Sequence, residues 1–215
     1  MIKQLILLQS LVIFWCCTTD PRVASEFVAN PQSVPEQEVT PLEIGAVMPS
    51  FNLISTSGAY YNSEKLKKAQ ASLIVFTCNH CPTAQAYEQR IIDLVRDYKP
   101  KGVEIVAISP NSPLGLLYEE LGYSDLNDDY EAMVVRARDH AYNFPYLYDG
   151  DDHGASLQFG PSATPQVFLF DDKQILQYRG HLDSSEKPGT ANADRVRLAI
   201  DAVLEKRAII RPVTK

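Results

Sequence analysis

Residues 71–81 read "ASLIVFTCNHC", a largely apolar run that closes on two cysteines. A strand with one wet face alternates polar and apolar residues, so a run like this needs cover on both faces. Directly behind it, Ala84, Tyr87, Ile91, Leu94, Val95 and Tyr98 recur at helical spacing. That spacing predicts an amphipathic helix, which Pro100 and Gly102 end. "VEIVAIS", residues 103–109, is a second buried strand. Parallel neighbours need a crossover of about a dozen residues or more, and the helix supplies it. The chain is therefore read as an α/β protein whose central sheet is covered on both faces.

The remaining elements extend this layout. "PSFNLIS" (49–55) is a strand candidate and "SEKLKKA" (63–69) a short helix. Residues 109–127 are rich in Pro, Gly, Asn and Ser and predict a surface excursion. "DDYEAMVVRARDHAYNF" predicts a helix with Asp128 or Asp129 as its cap. "FPYLYD" is extended, and "GASLQFG" a short helix stopped by Gly160 and Pro161. "QVFLF" and "QILQYRG" flank Asp171-Asp172-Lys173 as a hairpin, and residues 191–207 form a last helix facing inward with Val196, Ile200, Val203 and Leu204.

The 215 residues contain 20 Lys and Arg against 27 Asp and Glu, for a net charge of −7. With no basic stripe, nucleic acid is excluded as a partner class. The start, "MIKQLILLQSLVIFWCC", pairs Lys3 with an apolar run too short to span a bilayer, and reads as an export leader over residues 1–17. Cys16 or Cys17 would carry the lipid if the leader is of the lipoprotein type, although Phe14 and Trp15 are bulky for that processing. Contact with a membrane is expected only through that leader or lipid, and the location is the periplasm or cell envelope. Residues 18–41, with Pro21, Pro31, Pro35 and Pro41, read as a flexible tether. The folded domain spans 42–207, and 208–215 is a C-terminal tail.

Two of the four cysteines belong to the leader, so no disulfide framework can staple the domain. What remains is Cys78 and Cys81, two residues apart where strand gives way to helix. Placed at or next to the helix N-cap, Cys78 would have its thiolate stabilised by unpaired N–H groups and the helix dipole. Cys81, one turn on, would resolve a mixed disulfide, and His80 would tune the thiolate. Zinc is the main rival for CxxC. It wants four ligands, whereas His140, His153 and His181 stand singly. Two inert buried cysteines are the bland alternative. The run Asp149, Asp151, Asp152 lacks the Glu of a calcium loop and reads as a solvated turn.

"GAVMPSFNL", "FTCNHCPTAQAYEQR", "FPYLYD", "TPQVFLFD" and "YRGHLD" together resemble the peroxiredoxin-like redoxin branch of the thioredoxin superfamily, from about Gly45 to Leu204. The resemblance implies a thioredoxin-like fold: a central mixed β-sheet flanked by helices, with a C-terminal hairpin and helix. It implies that Pro165 is a cis-proline lying against the cysteines, and that Thr164 and Pro165 bind the substrate backbone. It implies thiol–disulfide exchange with protein thiols or disulfides, needing no metal or organic cofactor. Peroxide is the alternative substrate. Peroxiredoxins, however, place their reactive cysteine in P-x-x-x-T-x-x-C. Counting back from Cys78 finds Val75 and Ala71, and from Cys81 finds Cys78 and Ile74, so neither carries the pattern. A non-catalytic envelope binding protein on the same fold is the third reading. Tyr178, Arg179 and Asp183 of the last motif are assigned to packing.

Overall fold

The structure, a computed structural model, describes residues 27–33, 39–116, 127–187 and 189–214. The leader at 1–17 therefore lies outside the described residues, as do Cys16 and Cys17. Among the described residues no helix is long and apolar enough to cross a membrane.

Seven strands form one mixed sheet in the order β2-β1-β5-β4-β3-β6-β7. They are β1 (Asn52–Ser55), β2 (Tyr60–Asn62), β3 (Ala71–Phe76), β4 (Val103–Ser109), β5 (Tyr146–Tyr148), β6 (Gln166–Asp171) and β7 (Leu176–Gly180). Helices are α1 (Pro82–Tyr98), α2 (Tyr130–Asp139), α3 (Gly154–Phe159) and α4 (Asp194–Leu204). β3 pairs parallel with β4 and antiparallel with β6, so the sheet is mixed at its centre. The expected β3-α1-β4 unit and the β6–β7 hairpin are both present. "SEKLKK" forms a 3₁₀ segment in which the Asn62 side chain caps the Glu64 amide.

β3 is buried along its whole length because successive side chains enter two different cores. Leu73 and Val75 join Ile91 and Leu94 of α1, Met133 of α2 and Ile200 of α4 on one face. Ile74 and Phe76 join Phe159 of α3, Phe168 and Leu66 on the other. Each such side chain contributes roughly 1.5–3 kcal/mol on burial, which makes β3 the rigid rod from which the following loop projects.

Three expectations change. Residues 27–33 of the supposed tether lie against the domain. Phe27 packs edge-on against Tyr130 at 4.8 Å, the Gln32 amide donates to the Gly150 carbonyl, and the Asn30 amide to Asp151. The C-terminal tail pairs with β7: Arg179 N–H donates to Pro212 O, and Thr214 N–H to Arg179 O. Asp149 is buried rather than solvated. Its carboxylate accepts from the Ala155 and Ser156 amides and the Ser156 hydroxyl, serving the first turn of α3. In each case the attachment runs through a few isolated groups and leaves no periodic signature.

Candidate functional site

β3 delivers the chain to the C-terminal edge of the sheet, where the Thr77 amide still donates to Ile108 O before the backbone turns away. The loop Cys78–Cys81 follows and α1 begins at Pro82. The N-cap of α1 is Cys81, with extended φ/ψ of −72° and 120°, and Pro82 takes the first helical position, where its missing N–H costs nothing. This corrects the expectation that Cys78 lies at or next to the N-cap. Cys78 sits three residues earlier, 3% exposed, while Cys81 is half-buried.

The two thiols consequently differ. The Cys78 thiol donates toward Cys81, and burial and the nearby Asp128 charge act with that bond to push Cys78 well above the ordinary cysteine range. The same bond, with the Thr83 and Ala84 amides of the helix N-terminus, pulls Cys81 down to about 5 against its burial. The helix N-terminus favours a thiolate at Cys81 and burial disfavours one at Cys78, the opposite of the preference that a Cys78 N-cap would give.

Thr164, 83 or more residues away in sequence, lies against both sulfurs, and Pro165 follows it directly. The Thr164–Pro165 bond is cis. Thr164 Oγ1 is 3.2 Å from Cys78 Sγ, and Thr164 O is 3.6 Å from Cys81 Sγ. The structure thus brings together all five residues singled out from sequence: Cys78, His80, Cys81, Thr164 and Pro165.

It also adds residues that the sequence reading missed. The Asp128 side chain is fully buried and accepts four hydrogen bonds. The Asn79 and His80 amides donate to Oδ1 at 2.7 and 3.1 Å, and His80 Nδ1 and Asn111 Nδ2 approach Oδ2 at 2.6 Å each. Burial alone would raise this carboxylate, but its donors outweigh burial and hold it below the usual range. Asp129, not Asp128, caps α2 through the Ala132 amide. Asn79, also fully buried, donates to Asn127 O, accepts from the Tyr146 hydroxyl, and receives the Gln85 amide on its carbonyl. The loop between the cysteines is therefore held by six hydrogen bonds from four residues, Gln85, Asn127, Asp128 and Tyr146. The signal available was the Asp128-Asp129 doublet, of which only one carboxylate can cap a helix.

Cys78, His80 and Asp128 offer donor atoms within 4.8 Å of one another, the one such group of three among the described residues. Asp128 already accepts four bonds, so a cation there would have to displace protein donors. A groove of about 600 Å³ opens beside the site, walled by His80, Asn111, His153, Leu157, Ser162 and Thr164. His153 lies beside Pro110 O and Gln32 O, and His140 pairs with Glu88 in the middle of α1. Asp183 binds Arg90 of α1, and Arg90 also donates to the carbonyls of Ser185, Glu186 and Lys187. This agrees with a packing role for the last motif.

Residues 44–179 match the model of the AhpC/TSA family. The chain belongs to that family. Among solved structures, it is similar to an uncharacterized conserved protein of Geobacillus kaustophilus, at 32% identity and TM-score 0.68 over 86% of this chain and 92% of that one. It is similar in fold to a hypothetical protein of Sinorhizobium meliloti 1021, at 24% identity and TM-score 0.69 over 83% and 95%. A thiol:disulfide interchange protein DsbE of Chlorobium tepidum shares the fold at 16% identity and TM-score 0.55, over 76% and 99%. No curated protein matches the chain. The AhpC/TSA domain is thus a thioredoxin-fold redoxin.

Proposed function

We propose that this redoxin is a thiol–disulfide oxidoreductase in which Cys81 attacks and Cys78 resolves. The observation that carries the reading is the pairing of a thiolate-stabilising helix N-terminus at Cys81 with a buried thiol at Cys78, both facing Thr164 beside a cis peptide bond. Cys81 would open a partner's disulfide and form a mixed disulfide. Cys78 would then attack Cys81 Sγ, release the partner as a thiol, and leave a Cys78–Cys81 disulfide. In reverse, the same steps oxidise a dithiol. Thr164 and Pro165 would hold the substrate backbone, and His80 would tune the pair.

The groove beside the site has room for a peptide segment, far more than a peroxide needs, which favours a polypeptide partner. The leader supports an envelope location, lipid-anchored if Cys16 or Cys17 is modified. Peroxidase chemistry loses its usual threonine, since Cys78 occupies the place three residues before Cys81. Trapping tests the assignment. Cys78→Ser in the native envelope should accumulate mixed disulfides through Cys81, and Cys81→Ser should not. The reverse pattern overturns the roles. Rapid peroxide consumption without trapped species favours the peroxidase.

A further inference from the structure

Resolution requires Cys78 to lose a proton, yet its thiol is 3% exposed and faces Thr164 rather than water. We propose that the proton passes to His80, with Asp128 as the positioning residue that orients the ring and balances the charge. The inference rests on the exchange reading above.

Geometry limits the candidates. The Cys78 sulfur, a His80 ring nitrogen and an Asp128 oxygen lie within 4.8 Å of one another. Tyr146 is also near, but its hydroxyl already donates to Asn79, and burial keeps its proton in place. Asp128 alone is a poor acceptor, because four donors stabilise its ionised form. Those donors make it a good counter-ion. A carboxylate only accepts, so the His80 Nδ1 facing it at 2.6 Å carries a hydrogen, which fixes the ring's tautomer and orientation. Because Nδ1 already carries a hydrogen, the proton from sulfur would enter at Nε2 and create an imidazolium beside a buried anion, the division of labour of a His–Asp pair in hydrolases. His80 has a 16% exposed side chain and borders the groove, so the proton can leave there with the departing thiolate.

The step balances. The S–H bond of Cys78 breaks and His80 takes the proton. The Cys78 electron pair forms the S–S bond to Cys81, and the mixed disulfide breaks with its pair on the partner sulfur. The two cysteines are oxidised and the partner disulfide is reduced to two thiols.

Ellman's reagent separates this role from a merely structural one. Reduced full-length protein with Cys16 and Cys17 replaced by serine should release two nitrothiobenzoate equivalents, one on Cys81 attack and one on Cys78 resolution. In Asp128→Asn, which retains an oxygen for the Asn79 and His80 amides, the ratio of the second rate constant to the first should fall at least tenfold. The rise of the second phase with pH should also move to more alkaline values. His80→Gln, which leaves the Asp128 tether to both amides intact, should do the same. An unchanged ratio in both variants overturns the relay, as does parallel slowing of both phases, which marks Asp128 as a loop tether alone. If the same leader-serine protein with Cys78, His80, Cys81 and Asp128 unaltered never releases the second equivalent, the exchange reading itself is overturned.

Discussion

In mild acid, Cys81 should outpace an ordinary cysteine by more than an order of magnitude. Its thiol is pulled down to about 5 by the Cys78 thiol and the amides of the first helical turn. At about pH 5.5 that leaves roughly three-quarters of Cys81 as thiolate, against about 0.1% for a thiol near 8.5. A less basic thiolate is a weaker nucleophile, and a Brønsted slope of about 0.45 over about 3.5 units costs roughly 40-fold. The net advantage is about 20-fold at pH 5.5, but near unity at about pH 7, where an ordinary cysteine is already about 3% ionised. The acidic range is therefore where the two cases separate. Brief iodoacetamide labelling across pH 4–9, read by peptide mass with glutathione as internal reference, measures both cysteines at once. Cys78 should stay unlabelled throughout the acidic range, since its partner bond, burial and Asp128 all act against ionisation. Labelling of Cys78 before Cys81, or a Cys81 profile with its midpoint near 8.5, would refute the assignment of charge.

Replacing Asp183 by Ala would leave the Arg90 guanidinium buried beside three carbonyls without its counter-ion, at a cost of about 3–5 kcal/mol in urea unfolding; a loss under about 1 kcal/mol would dismiss the clamp. At Gly180, where φ is +143°, a Cβ would run into the Thr214 hydroxyl and backbone. Gly180→Ala should cost about 1–3 kcal/mol in thermal unfolding, and removing residues 212–215 should shrink that penalty. Asp128 gives a pH signature. Its folded-state value lies below the usual carboxylate range, so the stability it contributes is complete above about pH 4 and lost as pH falls through the folded value. The stability-versus-pH curve of Asp128→Asn should lack that acid arm, and an unaltered acid slope would show that Asp128 is not ionised in the fold.

The cysteine motif and the strands around it were legible because their signals are local. "ASLIVF" must be covered on both faces, and the apolar stripe from Ala84 to Tyr98 fixes a helix next to it. Which cysteine caps the helix was legible in one residue only: Pro82 belongs at the first helical position, which makes Cys81 the cap. Asp128 was illegible as a site residue because it reaches the loop across 48 positions in sequence, and its neighbour Asp129 offers an equally good cap. β2 escaped notice because three residues, Tyr60–Asn62, carry no period. Residues 27–33 and 212–214 escaped for a different reason. They bind through a few scattered backbone and side-chain groups whose partners lie far along the chain, and their composition suggests only extended structure.

The central claim is that Cys78 and Cys81 form a reversible redox couple. Equilibrating the full chain in thiol/disulfide buffers, quenching by alkylation and counting free thiols by mass measures it directly. The account predicts one two-electron transition between about −270 and −120 mV, the span of known oxidoreductases, with loss of both domain thiols together. A chain whose Cys78 and Cys81 remain reduced at every potential, or lose their thiols one at a time, contradicts it.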